Sequence, residues 1–419
     1  MKRKKVLVSA YACSPYRGSE PGVGWGFVAE LSKYHELHVI VEKEKFKDEI
    51  TRYQSSSEAI DAKFYFVQKK RARWLRKIWP PSYYWMYWLW QREVYSLATS
   101  LHAKNKFDLI HQLTMVGFRE PGFLWKIDVP FVWGPVGGMG LFPWRFLQTR
   151  RPMAAAYFSF YNLYNLVQSR LLRRPKVAAA RAGAGFIAAT QENLDGAEMF
   201  WGVHDGKLLS EVGLAGVSER PRPRDTASPL KIIWVGQHTP GKALDIGLRA
   251  LSRVDKNCNW ELTVVGYGTE TRRWTVLADC LGIADRVHFV GWCDLSHVKS
   301  YYSSADLMMI TSLRDLTATV TLEALSFSLP VVCLDHCGFG DLIDHRCGIK
   351  ITVSNPKLVC DDLAAAIETL EQNESLRMRL AHGAFQVAIE NTWTTKVRLV
   401  NEIYNTVTLK DDDESTTCS

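Results

Sequence analysis

A chain of 419 residues is too long for one ordinary hydrophobic core, and two domains are expected. With 47% hydrophobic and 23% charged residues, the composition excludes a disordered chain, and no uninterrupted apolar stretch is long enough to predict a membrane-spanning helix. The net charge of +8 divides unevenly: residues 1–215 carry 31 Lys and Arg against 18 Asp and Glu, and the remainder 21 against 26. The two parts (+13 and −5) are therefore expected to meet different partners. Nine cysteines without a C-x-x-C pair fit a reducing, cytoplasmic compartment and argue against a disulfide framework or a metal site.

The first fourteen residues, MKRKKVLVSAYACS, have a basic start and a short apolar run. That run is at the shortest end for an export signal and flows into a glycine-rich stretch, so it reads as a first strand, Val6–Ala10. A turn rich in Gly and Pro (Gly18 to Gly26) and an amphipathic helix to about Tyr34 follow. Leu37–Val41, Phe64–Val67, Leu109–His111, Phe131–Trp133 and Gly185–Ala189 read as further strands among helical segments. That alternation implies a parallel, doubly wound sheet. The polar, proline-rich stretch at 216–229 reads as a linker between a first domain at 1–215 and a second at 230–393. In the second, strands Lys231–Val235, Glu261–Val265, Val287–Val290 and Leu307–Thr311 alternate with helices Ala243–Leu251 and Thr271–Leu281. A helix at 394–409 is expected to pack back on the first domain, and the acidic tail 410–419 is expected to be disordered. Ligands of such sheets bind outside the carboxyl ends of the strands, so two of them facing each other would share a cleft.

The most informative stretch is Thr311–Ile343. Asp315 and Glu323 flank a small, hydroxyl-rich turn, Leu316–Thr319, that opens a helix at Thr321–Ser328. A buried run, Pro330–Leu334, and a second turn with Gly338 and Gly340 come next. A helix N-terminus offers unpaired backbone N–H groups and positive dipole character, so an anion can sit there without a metal. The two carboxylates can each bind the hydroxyls of a polyol.

These residues resemble the retaining glycosyltransferases of family 4, which have the GT-B fold of two Rossmann-like domains facing across a cleft. The resemblance covers most of the chain and is strongest over 230–345. It rests on Asp315, Glu323 and Ala324, the Pro330–Val332 run and Gly338, which fall in register with the family's two acids, following strand and glycine turn. Gly236 to Lys242 resembles its phosphate-binding turn. Gly266, Gly268 and Trp292 fall where it binds the nucleotide. SEPGVGWG, with Gly22 and Gly24, resembles its glycine-rich loop facing donor and acceptor. Two departures stand out: Gln237 occupies the family's arginine position, and the first acid is Asp315 in place of glutamate.

The resemblance implies a metal-independent hexosyltransferase without a cofactor, acting on a nucleotide-diphosphate sugar. Lys242 and backbone groups at Thr317, Ala318 and Thr319 would meet the diphosphate, Glu323 the ribose and Asp315 the sugar. His111, at a strand end, is a further candidate for contact with donor or acceptor.

Six cations among residues 69–77 and five tryptophans among residues 74–90 form a basic, aromatic segment. A second lies at Trp144–Arg174, with Arg145, Arg150, Arg151, Arg170, Arg173 and Arg174. Such residues suit an anionic membrane surface, whereas no nucleic-acid-binding motif accompanies them. The expected role is transfer to a lipid-linked glycan acceptor at the inner membrane face, in exopolysaccharide or envelope polysaccharide biosynthesis. One alternative, motivated by Gln237 and Asp315, is a catalytically weakened scaffold of the same fold at the membrane. Another is a dinucleotide-dependent oxidoreductase, disfavoured because no G-x-G-x-x-G opens a helix after the first strand.

Overall fold

The computed structural model describes residues 3–69, 82–115, 117–316 and 319–417, with only the backbone described at Leu295 and at 410–417. The chain forms two compact units. The first comprises Met1–Met139, Leu166–Gly213 and Trp393–Ser419, and the second Gly140–Asn165 and Leu214–Thr392.

The first unit holds a parallel sheet of seven strands: β1 (Lys5–Ser9), β2 (Glu36–Glu42), β3 (Ala62–Val67), β4 (Leu109–Gln112), β5 (Phe131–Val136), β6 (Phe186–Ala188) and β7 (Lys207–Leu208), in the order β3-β2-β1-β4-β5-β6-β7. The central strands are covered on both faces, so β1 after Lys5 and all of β4, its polar His111 and Gln112 included, are buried continuously rather than on alternate residues. The segment expected to be a glycine turn is instead helical, Ser19–Leu31. Its glycines serve close packing: a Cβ at Gly24 would lie 2.1 Å from the Ala12 carbonyl oxygen, and one at Gly26 2.2 Å from the Trp393 ring. The helix Trp393–Thr417 completes this unit, with Trp393 against Phe27 and Asn401 hydrogen-bonded to His35. It runs on through the acidic stretch expected to be disordered, where no glycine or proline interrupts it.

The second unit holds a six-stranded parallel sheet: β8 (Leu230–Val235), β9 (Trp260–Val265), β10 (Val287–Gly291), β11 (Leu307–Ile310), β12 (Val331–Leu334) and β13 (Gly348–Ile351), in the order β10-β9-β8-β11-β12-β13. The stretch 216–229 has no helix or strand, yet it is pinned to this unit. Arg222 donates to the Ala305 carbonyl, and the buried Arg224 to that of Glu371. Gly140–Asn165 lies within the 1–215 stretch but clusters with this second unit. The reason is local chemistry: Arg150 makes a buried two-pronged ion pair with Asp245 (2.9 and 2.6 Å) and donates to the Pro240 carbonyl. Phe142 stacks on Phe158 with ring centroids 4.1 Å apart.

Candidate active site

In the second unit the strand order reverses between β8 and β11, the place where an open parallel sheet leaves a crevice at its carboxyl ends. Three backbone turns after β8, β9 and β10 are bonded together there. Gly236 N–H donates to the Val265 carbonyl (3.0 Å), His238 N–H to that of Tyr267 (3.2 Å), and Gly266 N–H to that of Gly291 (2.8 Å). Gly266 has a φ of +129°, and a Cβ on it would lie 1.9 Å from the Gly236 oxygen. Only glycine lets these turns meet. They enclose a cavity of about 500 Å3 lined by Val235, Gly236, Gln237, Gly266, Tyr267 and Trp292, among others. Tyr267 (66% exposed) and Trp292 (79% exposed) present large ring surfaces there. Gly268 packs on the His238 carbonyl, so its role is to hold the turn.

The turn from Gly236 leads to Lys242. Leu313 N–H donates to the Gly241 carbonyl (2.8 Å), and Thr311 Oγ1 to that of Lys242 (3.0 Å). The Arg150–Asp245 pair fixes the following helix, Leu244–Leu251, at its first turn. Lys242 Nζ is hydrogen-bonded to Asp315, and both side chains are about one-fifth exposed. The two departures of the chain thus sit on one turn system: Gln237 is exposed at the cavity, and Asp315 holds the lysine. Asp315 N–H donates to Cys337 Sγ (3.3 Å), and Gly338 N–H to the Leu316 carbonyl (2.7 Å). The second glycine turn, which is a short helix at Cys337–Leu342, therefore braces the first acid.

Thr317 and Ala318 lie outside the described residues. Thr319 is exposed and begins the helix Thr319–Ser326, two residues earlier than expected. Glu323 lies on that helix and accepts a hydrogen bond from the Tyr302 hydroxyl (3.1 Å). Burial raises its pKa above the ordinary glutamate value, with the Tyr302 bond opposing. A cation, helix-start N–H groups and two carboxylates can thus bind an anion and hydroxyl groups.

Other expected residues do not present themselves to a ligand. His111 is fully buried; its Nε2–H donates to the Gly134 carbonyl (2.9 Å), and its Nδ1 accepts from the Tyr404 hydroxyl (2.7 Å). Burial pushes its pKa down to about 4. Both nitrogens are used, so His111 is structural and the expectation of a catalytic role is corrected. Gly22 and Gly24 lie within a helix and close against the backbone of Arg17 and Ala12. The basic run at 70–77 lies outside the described residues, while Lys69 is buried with its ammonium 3.7 Å from the Tyr83 ring centroid. Arg150, read from the sequence as a surface cation, is the buried partner of Asp245. Its supporting role had no local signal, because 95 residues separate the pair.

The two sheets define the GT-B glycosyltransferase fold. Anabaena HepE, solved in complex with UDP, superimposes with a TM-score of 0.60 over 96% of this chain and 100% of its own, at 16% identity. Residues 219–387, all within the second unit, match the family model of glycosyl transferases group 1. An uncharacterised glycosyltransferase of Methanocaldococcus jannaschii is 26% identical over 175 residues, 41% of this chain and 44% of its own. The amylovoran biosynthesis glycosyltransferase AmsK of Erwinia amylovora is 30% identical over 156 residues, 35% of this chain and 37% of its own. The chain thus spans about two-fifths of the length of these curated relatives.

Proposed function

We propose that the chain is a retaining glycosyltransferase that moves a hexose from a nucleotide-diphosphate sugar to a lipid-linked glycan acceptor. It works in the cytoplasm on an anionic membrane face, in envelope polysaccharide biosynthesis, and needs no metal or cofactor. The observation that carries the reading is Lys242, paired with Asp315 on the turn that lines the aromatic cavity. The base stacks on Tyr267 or Trp292, and Glu323 takes the ribose hydroxyls. The diphosphate draws Lys242 from Asp315, whose carboxylate then accepts hydroxyls of the donor sugar. As the bond from the anomeric carbon to the diphosphate oxygen breaks, Lys242 neutralises the charge that develops there. The acceptor oxygen bonds to that carbon on the same face, and its proton passes to the departing phosphate.

Support for the donor class comes from the family match and from a structural neighbour crystallised with UDP. Support for the pathway comes from the amylovoran enzyme. Among the described residues no helix is long and apolar enough to cross a membrane. Membrane contact is supported by the Pro152–Leu171 helix, whose Met153, Phe160, Leu163 and Tyr164 are exposed, flanked by the exposed Arg145 and Arg151.

A thermal-shift screen of nucleoside diphosphates and their sugars tests the donor. One of them is expected to stabilise the protein, by about 2.7 kcal/mol at a hundredfold excess over Kd. Lys242→Ala is expected to remove most of that shift and to lower transfer roughly 10²–10³-fold. If no nucleoside diphosphate binds, or Lys242→Ala binds it equally well, the proposal is wrong.

A further inference from the structure

The donor cavity and the turn beside it carry little positive charge. The residues lining the cavity after β8, β9 and β10 are neutral, Gln237 included. Lys242, the cation of the turn, is matched by the carboxylate of Asp315. A diphosphate bound there meets a single side-chain cation, and that one has a competing partner.

A second cation stands next to the turn. Arg314 precedes Asp315 on the loop that leaves β11, and the N–H groups of Leu313 and Arg314 both donate to the Gly241 carbonyl (2.8 and 3.2 Å). A Cβ on Gly241 would lie 3.5 Å from that of Arg314, so the arginine side chain starts beside Lys242. The residue is half-buried. Its Cζ lies 3.6 Å from the Tyr161 ring centroid, and its Nη1 donates to the Tyr157 hydroxyl (3.3 Å). Both tyrosines lie on the Pro152–Leu171 helix, in the part that belongs to the same unit. Buried Arg150, Arg224 and Arg377 each hold a carboxylate. Among the described residues, Arg314 has none.

Taking a guanidinium out of water is costly unless an anion compensates it. A ring face and a long bond to a neutral hydroxyl do so only in part. A phosphate does so well, because the planar guanidinium can give it two parallel N–H bonds. The flexible stem lets the head leave Tyr161 while the backbone bonds to Gly241 stay in place.

Resting on the transferase function already proposed, we propose that Arg314 is a second phosphate-binding residue of the donor site, which leaves the Tyr161 ring to pair with the donor's diphosphate beside Lys242. Tyr157 and Tyr161 keep it close to the turn until the donor arrives.

Calorimetry on the full chain tests this with UDP, CDP, ADP and GDP. Saturation-transfer NMR follows the four free nucleosides, which carry no phosphate. Arg314→Gln is expected to weaken the diphosphate that binds about tenfold and to leave its nucleoside unchanged. Gln237→Arg places a cation at the cavity wall, and it is expected to return most of that loss in the Arg314→Gln background. Tyr161→Leu removes the resting ring but keeps the cation, so it is expected to bind the diphosphate at least as tightly as the parent. The proposal is overturned if Arg314→Gln binds like the parent, if it weakens nucleoside and diphosphate alike, or if Gln237→Arg restores nothing. A tenfold loss in Tyr161→Leu also overturns it, and this arm decides even where Arg314→Gln fails to fold. The same samples are floated with phosphatidylglycerol vesicles. Weaker flotation of Arg314→Gln with its diphosphate affinity intact assigns the arginine to a lipid phosphate and overturns the proposal. Lys242→Ala is read alongside. If the parent binds no diphosphate, the donor assignment fails and this one with it, whereas loss in Lys242→Ala without loss in Arg314→Gln refutes the role of Arg314 alone.

Discussion

Glu323 is the residue at which structure and chemistry pull apart. Its carboxyl is buried enough to raise its pKa, so the ionised form is disfavoured. A group whose folded pKa is raised favours folding below its unfolded pKa and loses that contribution as pH rises through the folded value. Glu323→Gln keeps an oxygen for the Tyr302 hydroxyl and removes the ionisation. It is expected to raise the melting temperature at neutral pH, with a gain that shrinks on acidification through the carboxylate range, while sugar transfer falls. A variant that melts lower than the parent at neutral pH would falsify this account. Retained instability of that kind is a common mark of residues held for function. The acid pair was legible in the sequence because its spacing survives in one continuous block, Asp315 to Glu323. The bond from Lys242 to Asp315 was not, since it joins residues 73 positions apart. His111 misled for a related reason: a histidine ending a strand looks the same in sequence whether it faces a ligand or, as here, Tyr404.

At the scale of elements, strands were the most legible features because fully buried parallel strands are unbroken apolar runs. The glycine-rich segments were less so. SEPGVGWG and the segment at Cys337–Leu342 both read as turns, yet both are helical. In the first, glycine answers a need for close approach, which composition alone does not distinguish from a need for bending. The Pro152–Leu171 helix makes the membrane proposal specific. Its exposed apolar side chains, not Arg150 or Lys69, are the groups available for lipid. Phe160→Glu combined with Leu163→Glu is expected to reduce co-flotation with vesicles rich in anionic lipid. Stability should change by less than about 0.5 kcal/mol per exposed site. Undiminished flotation would show that this helix does not carry membrane contact.

Across the whole molecule, burial holds several histidines neutral. His35, His38, His102, His111 and His238 all titrate below the ordinary value, with burial the first cause in each, and His111 and His238 are pushed down to about 4. Unfolding releases them to bind protons near pH ~6.5. Their contribution is therefore complete above that pH and is lost as pH falls toward the folded values. Urea unfolding is expected to show a clearly lower midpoint at about pH 5 than at about pH 7, and equal midpoints would contradict it. The division of the chain into units was the least legible property, because membership is decided by contacts such as Arg150 with Asp245 rather than by order along the chain. The placement of the helix Trp393–Thr417 also constrains biosynthesis. The first unit lacks Trp393, Asn401 and Tyr404 until that helix emerges from the ribosome, whereas every strand of the second has emerged by residue 351. The part translated first is therefore the last to close, and a nascent chain must carry an unfinished sheet while its second unit matures.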